Sequence, residues 1–132
     1  MLRRHGKSDR PETAVRAWPR KFADAFRGLG RAVIGQSSFA VHIAAAALVV
    51  VAAALLQVSA VDWALLSAAI SGVMAAEVFN TAIESLARAP GARRHPRVRD
   101  ALDMASAGVL VAAVGAAGIG LAVFGPRLLA LL

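Results

Sequence analysis

Two long stretches of this 132-residue chain carry no charged side chain, one from Phe39 to Leu56 and the other from Met104 to Pro126. At a helical rise of about 1.5 Å per residue the shorter covers roughly 27 Å, close to the hydrocarbon thickness of a bilayer. A third stretch, Trp63 to Ile83, is apolar apart from Ser67, Ser71, Glu77, Asn80 and Thr81. Three spanning helices are therefore expected, over about 39–56, 63–84 and 104–126. The 58% hydrophobic share is more than a soluble domain of this length hides, and a disordered basic tail would lack it. The absence of cysteine excludes disulfide scaffolds, thiolate zinc sites and cysteine nucleophiles.

The net charge of +7 is partitioned along the chain. Nine of the fifteen Lys and Arg precede Phe39, five more lie between Arg88 and Arg99 inclusive, and Gln57 to Asp62 hold none. The positive-inside rule then places the N-terminus and the second connection in the cytoplasm, and Gln57 to Asp62 and the C-terminus outside. This topology accounts for the basic charge without nucleic acid. No apolar run follows the basic residues before Phe39, so a cleavable signal peptide is not expected. Residues 1–19, with Pro11, Pro19 and many charges, read as a basic flexible tail, and 20–132 as a single membrane domain.

Within about 20–35 the pattern changes. Phe22, Phe26, Leu29 and Val33 recur at spacings of 4, 3 and 4, while Arg20, Asp24, Arg27 and Arg31 repeat that spacing two residues out of step. The two rows lie on opposite faces of a helix, which suits an amphipathic surface helix with its basic row toward anionic headgroups. It serves either as an anchor or as the cytoplasmic wall of an active site. The small residues of the spans, such as Ala44 to Ala47 and Gly115 to Gly120, suit close helix packing in lipid.

Polar chemistry gathers at the inner end of the second span. Glu77, Asn80 and Glu84 stand at i, i+3 and i+7, on one helix face. Glu84 falls at the basic interface, and Glu77 roughly 10 Å deeper. A carboxylate at that depth costs on the order of 3 kcal/mol on insertion scales. Protonation, a cation or a partner on a neighbouring helix would offset it. Polar glue between helices is the plain alternative, which Asn80 could supply without two acids. The second connection reads Arg93-Arg94-His95-Pro96-Arg97-Val98-Arg99-Asp100-Ala101-Leu102-Asp103. Pro96 suits the first position of the third span's helix, bringing Asp103 and Ser106 to the depth of Glu84. Basic groups beside carboxylates under a membrane surface suit a nucleotide phosphate held with a divalent ion, although topology alone also demands the arginines.

These residues carry a resemblance. Glu77-Val78-Phe79-Asn80-Thr81-Ala82-Ile83-Glu84, followed after a basic linker by Asp103-Met104-Ala105-Ser106-Ala107-Gly108-Val109-Leu110, resembles the prokaryotic diacylglycerol kinase and undecaprenol kinase family. Ser38-Phe39-Ala40-Val41-His42 is similar to the opening of the first span in its undecaprenol kinase branch, and Asp62-Trp63 to the pair that opens the second. The resemblance implies an all-α membrane protein of the bacterial inner membrane: a surface helix, three transmembrane helices, and a homotrimeric bundle. It implies phosphorylation of a lipid hydroxyl, undecaprenol or diacylglycerol, by direct in-line transfer from ATP with Mg2+. By position, Glu77 is then the catalytic base and Glu84 a metal ligand. Asn80, Glu84, Arg93, Arg94, His95 and Asp103 fall at the nucleotide, and Ser106, Phe39 and His42, with Glu77, at the lipid.

The departures are specific. Gln36 stands where the family has a metal-binding glutamate, and an amide brings a carbonyl oxygen but no negative charge. Leu102 stands where a lysine meets the transferred phosphate, and Arg88 replaces an aspartate. Arg99, three residues before Leu102, is placed to compensate. The leading expectation is a lipid kinase; the alternatives are a catalytically impaired relative acting as a membrane structural or partner-binding protein, and a small transporter or proton-conducting oligomer with Glu77 as relay.

Overall fold

The computed structural model describes residues 14–34 and 37–130, all of whose regular structure is helical. Four α-helices follow one another: α1 (Ala14–Val33), α2 (Ser37–Leu55), α3 (Ala60–Ala87) and α4 (Pro96–Leu129), with a single 3₁₀ turn at Ala92–Arg94 between the last two. α2, α3 and α4 are each long and apolar enough to cross a membrane.

α1 is a unit of its own up to Arg31. Its helix begins at Ala14, so residues 14–19, which composition alone assigns to the tail, are helical. Pro19 lies inside it and removes one backbone hydrogen bond, a loss that matters least near a helix start. Local side-chain contacts continue across the proline: the Trp18 and Phe22 rings lie 6.2 Å apart and the Lys21 ammonium sits 5.3 Å from the Trp18 ring centre. Phe22, Phe26 and Leu29 are exposed on the apolar face, and Arg27 pairs with Asp24 on the charged one.

α3 and α4 form an antiparallel hairpin with the most extensive packing in the chain, and α2 lies against α3. Both hairpin helices overrun the apolar stretches, because side chains beyond the hydrocarbon need not be apolar. At the helical rise α4 is about 51 Å long and α3 about 42 Å, well past a bilayer's hydrocarbon thickness.

At the end of the bundle away from the basic connection, α2 stops in a Schellman turn. The Val58 N–H reaches back to the Ala53 carbonyl (3.2 Å) and the Gln57 N–H to Ala54 (3.3 Å), with Gln57 left-handed at φ 48°. Ala53 and Val58 are buried with Leu66 and Val123 in one cluster, flanked by Trp63 and Phe124. Ser59 then caps α3. Its hydroxyl accepts from the Asp62 N–H (3.2 Å), and the Asp62 carboxylate accepts from the Ser59 N–H (3.1 Å). The Arg127 guanidinium donates to the same carboxylate oxygen at 2.7 Å.

Arg127 is the fifteenth cationic residue, the one that the basic segments leave over. Its pairing with Asp62 joins the start of α3 to the end of α4 across 65 residues of sequence. Ser59→Ala removes the cap and is expected to cost about 1 kcal/mol, read as a lower midpoint in denaturant unfolding of the detergent-solubilised chain. Arg127→Gln and Asp62→Asn are expected to lower it too, with the double variant losing no more than the worse single one.

Candidate functional site

The other half of the bundle holds the polar residues. Along α3 the stripe Leu66, Val73, Glu77, Asn80 and Ala87 is buried, so the helix turns its acidic motif inward, toward the same side as its apolar contacts. Glu77 is 2% exposed and Asn80 8%. A buried carboxyl group needs a partner, and α2 supplies one: the His42 Nε2 lies 2.9 Å from Glu77 Oε1. The other carboxyl oxygen, Oε2, is buried and has no hydrogen-bond partner among the described residues. Glu77 is thus held by one oxygen, while the other is buried and unpaired among the described residues.

A turn further along, the Asn80 side-chain amide donates to Glu84 Oε1 at 3.0 Å. Glu84 is half-buried, and its Oε2 lies 3.8 Å from the Arg88 guanidinium. The buried Asn80 Oδ1 and Thr81 Oγ1 have no partner among the described residues. Polarity therefore rises in steps from a buried His42–Glu77 pair, through Asn80, to a partly solvated Glu84–Arg88 pair.

Beyond α3 the chain turns at Gly91, whose φ of 80° favours glycine. Arg88, Arg93 and Arg94 line a shallow cavity of about 340 Å³ at this turn. His95 is exposed and caps α4, its Nδ1 accepting from the Arg97 N–H at 3.3 Å, with Pro96 in the first helical position as the sequence requires. That occupies one ring nitrogen and leaves Nε2. Asp103 and Ser106 are exposed on α4, and the Ser106 hydroxyl donates to the Leu102 carbonyl at 3.0 Å. Leu102 is half-buried, Arg99 is exposed, and Phe39 is 3% exposed one turn before His42. Gln36 lies outside the described residues.

The structure thus joins His42 to Glu77 and Asn80 to Glu84, gathers Arg88, Arg93 and Arg94 around one cavity, and leaves Asp103 and Ser106 on the outer surface of α4. No three His, Asp or Glu residues cluster as a metal site among the described residues. The donor set still fits a magnesium ion delivered on a nucleotide, which takes one or two carboxylates and fills its shell with phosphate and water oxygens. Glu84 is such a carboxylate, held by Asn80.

The family described as Prokaryotic diacylglycerol kinase matches residues 23–124. The undecaprenol kinase of Bacillus subtilis (strain 168) is 33% identical over 109 residues, covering 83% of this chain and 89% of that protein. The diacylglycerol kinase of Synechocystis sp. is 34% identical over 112 residues, 84% of this chain and 64% of that protein. No solved structure matches.

Removing His42 leaves both oxygens of Glu77 buried without a partner. His42→Ala is expected to destabilise the folded chain by about 1 to 3 kcal/mol. In a double-mutant cycle the loss is largely recovered by Glu77→Leu, because no carboxyl then remains to be satisfied. Equal losses on both backgrounds would show that the contact carries no coupling.

Proposed function

The chain belongs to the prokaryotic diacylglycerol kinase family, and we propose that it transfers the γ-phosphoryl group of ATP to the hydroxyl of a membrane lipid alcohol by direct in-line displacement. The observation that carries this reading is the buried Glu77, whose Oε1 lies 2.9 Å from His42 Nε2 while Oε2 is buried without a hydrogen-bond partner among the described residues. A group so placed meets a hydroxyl arriving from the bilayer.

In the step itself the lipid oxygen forms a bond to the γ-phosphorus as the bond from that phosphorus to the β–γ bridging oxygen breaks. ADP leaves with that electron pair, and the hydroxyl proton passes to Glu77 Oε2. His42 keeps the carboxyl from rotating away. Glu84, held by Asn80, together with the Gln36 carbonyl oxygen, would hold Mg2+, which when bound neutralises charge on the phosphates. Arg93, Arg94 and the free Nε2 of His95 take the nucleotide from the cytoplasm, with Asp103 facing it. Phe39 and Ser106 lie beside the lipid headgroup.

The chain is placed in the bacterial inner membrane, with its N-terminus and the α3–α4 connection in the cytoplasm and its C-terminus outside. α1 lies along the headgroups. The family resemblance implies a homotrimer, in which a second copy would bring its groups to the exposed Asp103 and Ser106. The relative from Bacillus subtilis makes undecaprenol the first alcohol to offer, ahead of diacylglycerol. The half-buried Leu102, which brings no charge to the transferred phosphate, favours a second reading: a catalytically impaired relative acting as a structural or partner-binding protein.

Purified chain in mixed micelles with labelled ATP and magnesium tests both. Label is expected on the lipid alcohol, and Glu77→Gln is expected to lower the rate by about 10² to 10⁴ with the oligomer intact. No transfer to undecaprenol or diacylglycerol by the intact protein would sink the kinase reading. Leu102→Lys with Gln36→Glu is expected to raise kcat, since the first adds a cation at the transferred phosphate and the second an anion at the metal.

A further inference from the structure

The turn between α3 and α4 gathers three arginines that a straight helix would hold apart. Arg88 caps the C-terminus of α3, and the left-handed Gly91 then reverses the chain so that the 3₁₀ turn sets Arg93 and Arg94 around the same cavity as Arg88. That cavity holds about 340 Å³ and has no acidic residue in its lining. Three guanidinium groups around one hollow repel one another, and a polyanion relieves them.

Arg88 differs from the other two in what stands beside it. Its guanidinium lies 3.8 Å from Glu84 Oε2, beyond hydrogen-bond range, and its side chain is 62% exposed, so the pair is loose and the fork of donors is able to turn toward a ligand. The other oxygen of Glu84 accepts from Asn80. A polyphosphate that runs from Arg93 and Arg94 toward a cation on Glu84 therefore brings its terminal phosphate to Arg88.

The register of the hairpin gives α4 no cation at this depth. Asp62 pairs with Arg127, and four residues further along α3 Leu66 shares a buried cluster with Val123, four residues back along α4. Carried to the end of α3, this antiparallel register sets Arg88 level with Ala101 and Leu102, neither of which is charged. Arg99, the compensating cation expected from spacing, lies nearer the start of α4 and does not line the cavity.

We propose that Arg88 contacts the γ-phosphate of the bound nucleotide and stabilises it during transfer. As the bond from the γ-phosphorus to the β–γ bridging oxygen breaks and the bond to the lipid oxygen forms, ADP leaves with the electron pair and the hydroxyl proton goes to Glu77. Arg88 exchanges no proton; it donates N–H groups to the phosphoryl oxygens over which the charge spreads. This role rests on the kinase reading for its chemistry, but nucleotide binding alone reads the contact.

Equilibrium binding in nanodiscs with magnesium compares AMP-PNP, which keeps a γ-phosphate, with ADP, which lacks one. The intact chain is expected to bind AMP-PNP at least about tenfold more tightly, and Arg88→Gln to bring the two within about threefold by weakening AMP-PNP alone, with kcat for the lipid alcohol lower by about 10² to 10³. Arg88→Lys, which keeps the charge without the planar fork, is expected to fall between. Arg93→Gln and Arg94→Gln are expected to weaken both nucleotides alike, and Arg97→Gln, which removes an equal charge from outside the cavity, to leave their ratio unchanged.

No preference for AMP-PNP in the intact chain, an unchanged ratio or an equal loss of both nucleotides in Arg88→Gln, or the same fall in ratio at Arg93, Arg94 or Arg97 would each overturn the proposal. If the preference depends on Arg88 but no alcohol is phosphorylated, the contact holds and the kinase reading fails; phosphorylation with a ratio indifferent to Arg88 does the reverse. Binding of neither nucleotide overturns both.

Discussion

A carboxyl group in the interior of a membrane bundle must be satisfied by the protein, and the polar half of this bundle is arranged around that requirement. Glu77 is 2% exposed, among helices whose facing side chains are mostly alanine, valine and leucine. The partner comes from α2 and not from a neighbouring turn of α3, so the His42 contact also fixes the rotation of α2 against α3. With few large side chains to interlock, packing alone would hold that rotation loosely. A single polar contact at 2.9 Å, in a medium where the alternative is an orphaned oxygen, supplies a specificity that apolar contacts lack.

The far end of the bundle solves a different problem with the same means. Arg127 stands apart from the other cationic residues, near the end of a helix that carries no other charge all the way back to Asp103. Asp62 neutralises it while completing the cap of α3, so one carboxylate serves the Ser59 N–H, the Ser59 hydroxyl and the guanidinium. The register of the α3–α4 hairpin is thereby set at its open end, as the Gly91 turn sets it at the closed one. Between those two points the helices need only small residues and no clash.

How much of this was legible in the sequence follows from the kind of signal each feature leaves. The spans follow from charge-free length, and the α3 triplet from helical spacing, because both are properties of a single element. Charge marks the hydrocarbon boundary and not the helix boundary, so the start of α4 at Pro96, well ahead of the apolar run at Met104, was legible from the proline, while its end at Leu129 and the start of α3 at Ala60 were not. The resemblance places His42 and Glu77 together at the lipid, but their contact leaves no spacing signal, since the two stand on different helices. The available signal was that His42 is the sole titratable residue in the first span. The Asp62–Arg127 pair left no local trace, since partners 65 residues apart meet only through the hairpin.

The two carboxyl groups on α3 stand two helical turns apart, roughly 10 Å along the axis, and the separation suits a reaction whose substrates come from different phases. A lipid alcohol approaches through hydrocarbon and a nucleotide through water, so the acceptor of a proton belongs on the lipid side and the holder of a phosphate-bound cation on the aqueous side. Were both acids at the depth of Glu77, a triphosphate would have to be desolvated to reach them, at far greater cost than burying one carboxyl. Were both at the depth of Glu84, the hydroxyl would have to leave the headgroup region and drag its chain into water, at about 0.8 kcal/mol per exposed methylene. Asn80, bonded to Glu84 and buried one turn from Glu77, spans the gap with a group that carries no charge of its own. On the proposed kinase reading, the spacing of the motif follows the phase boundary.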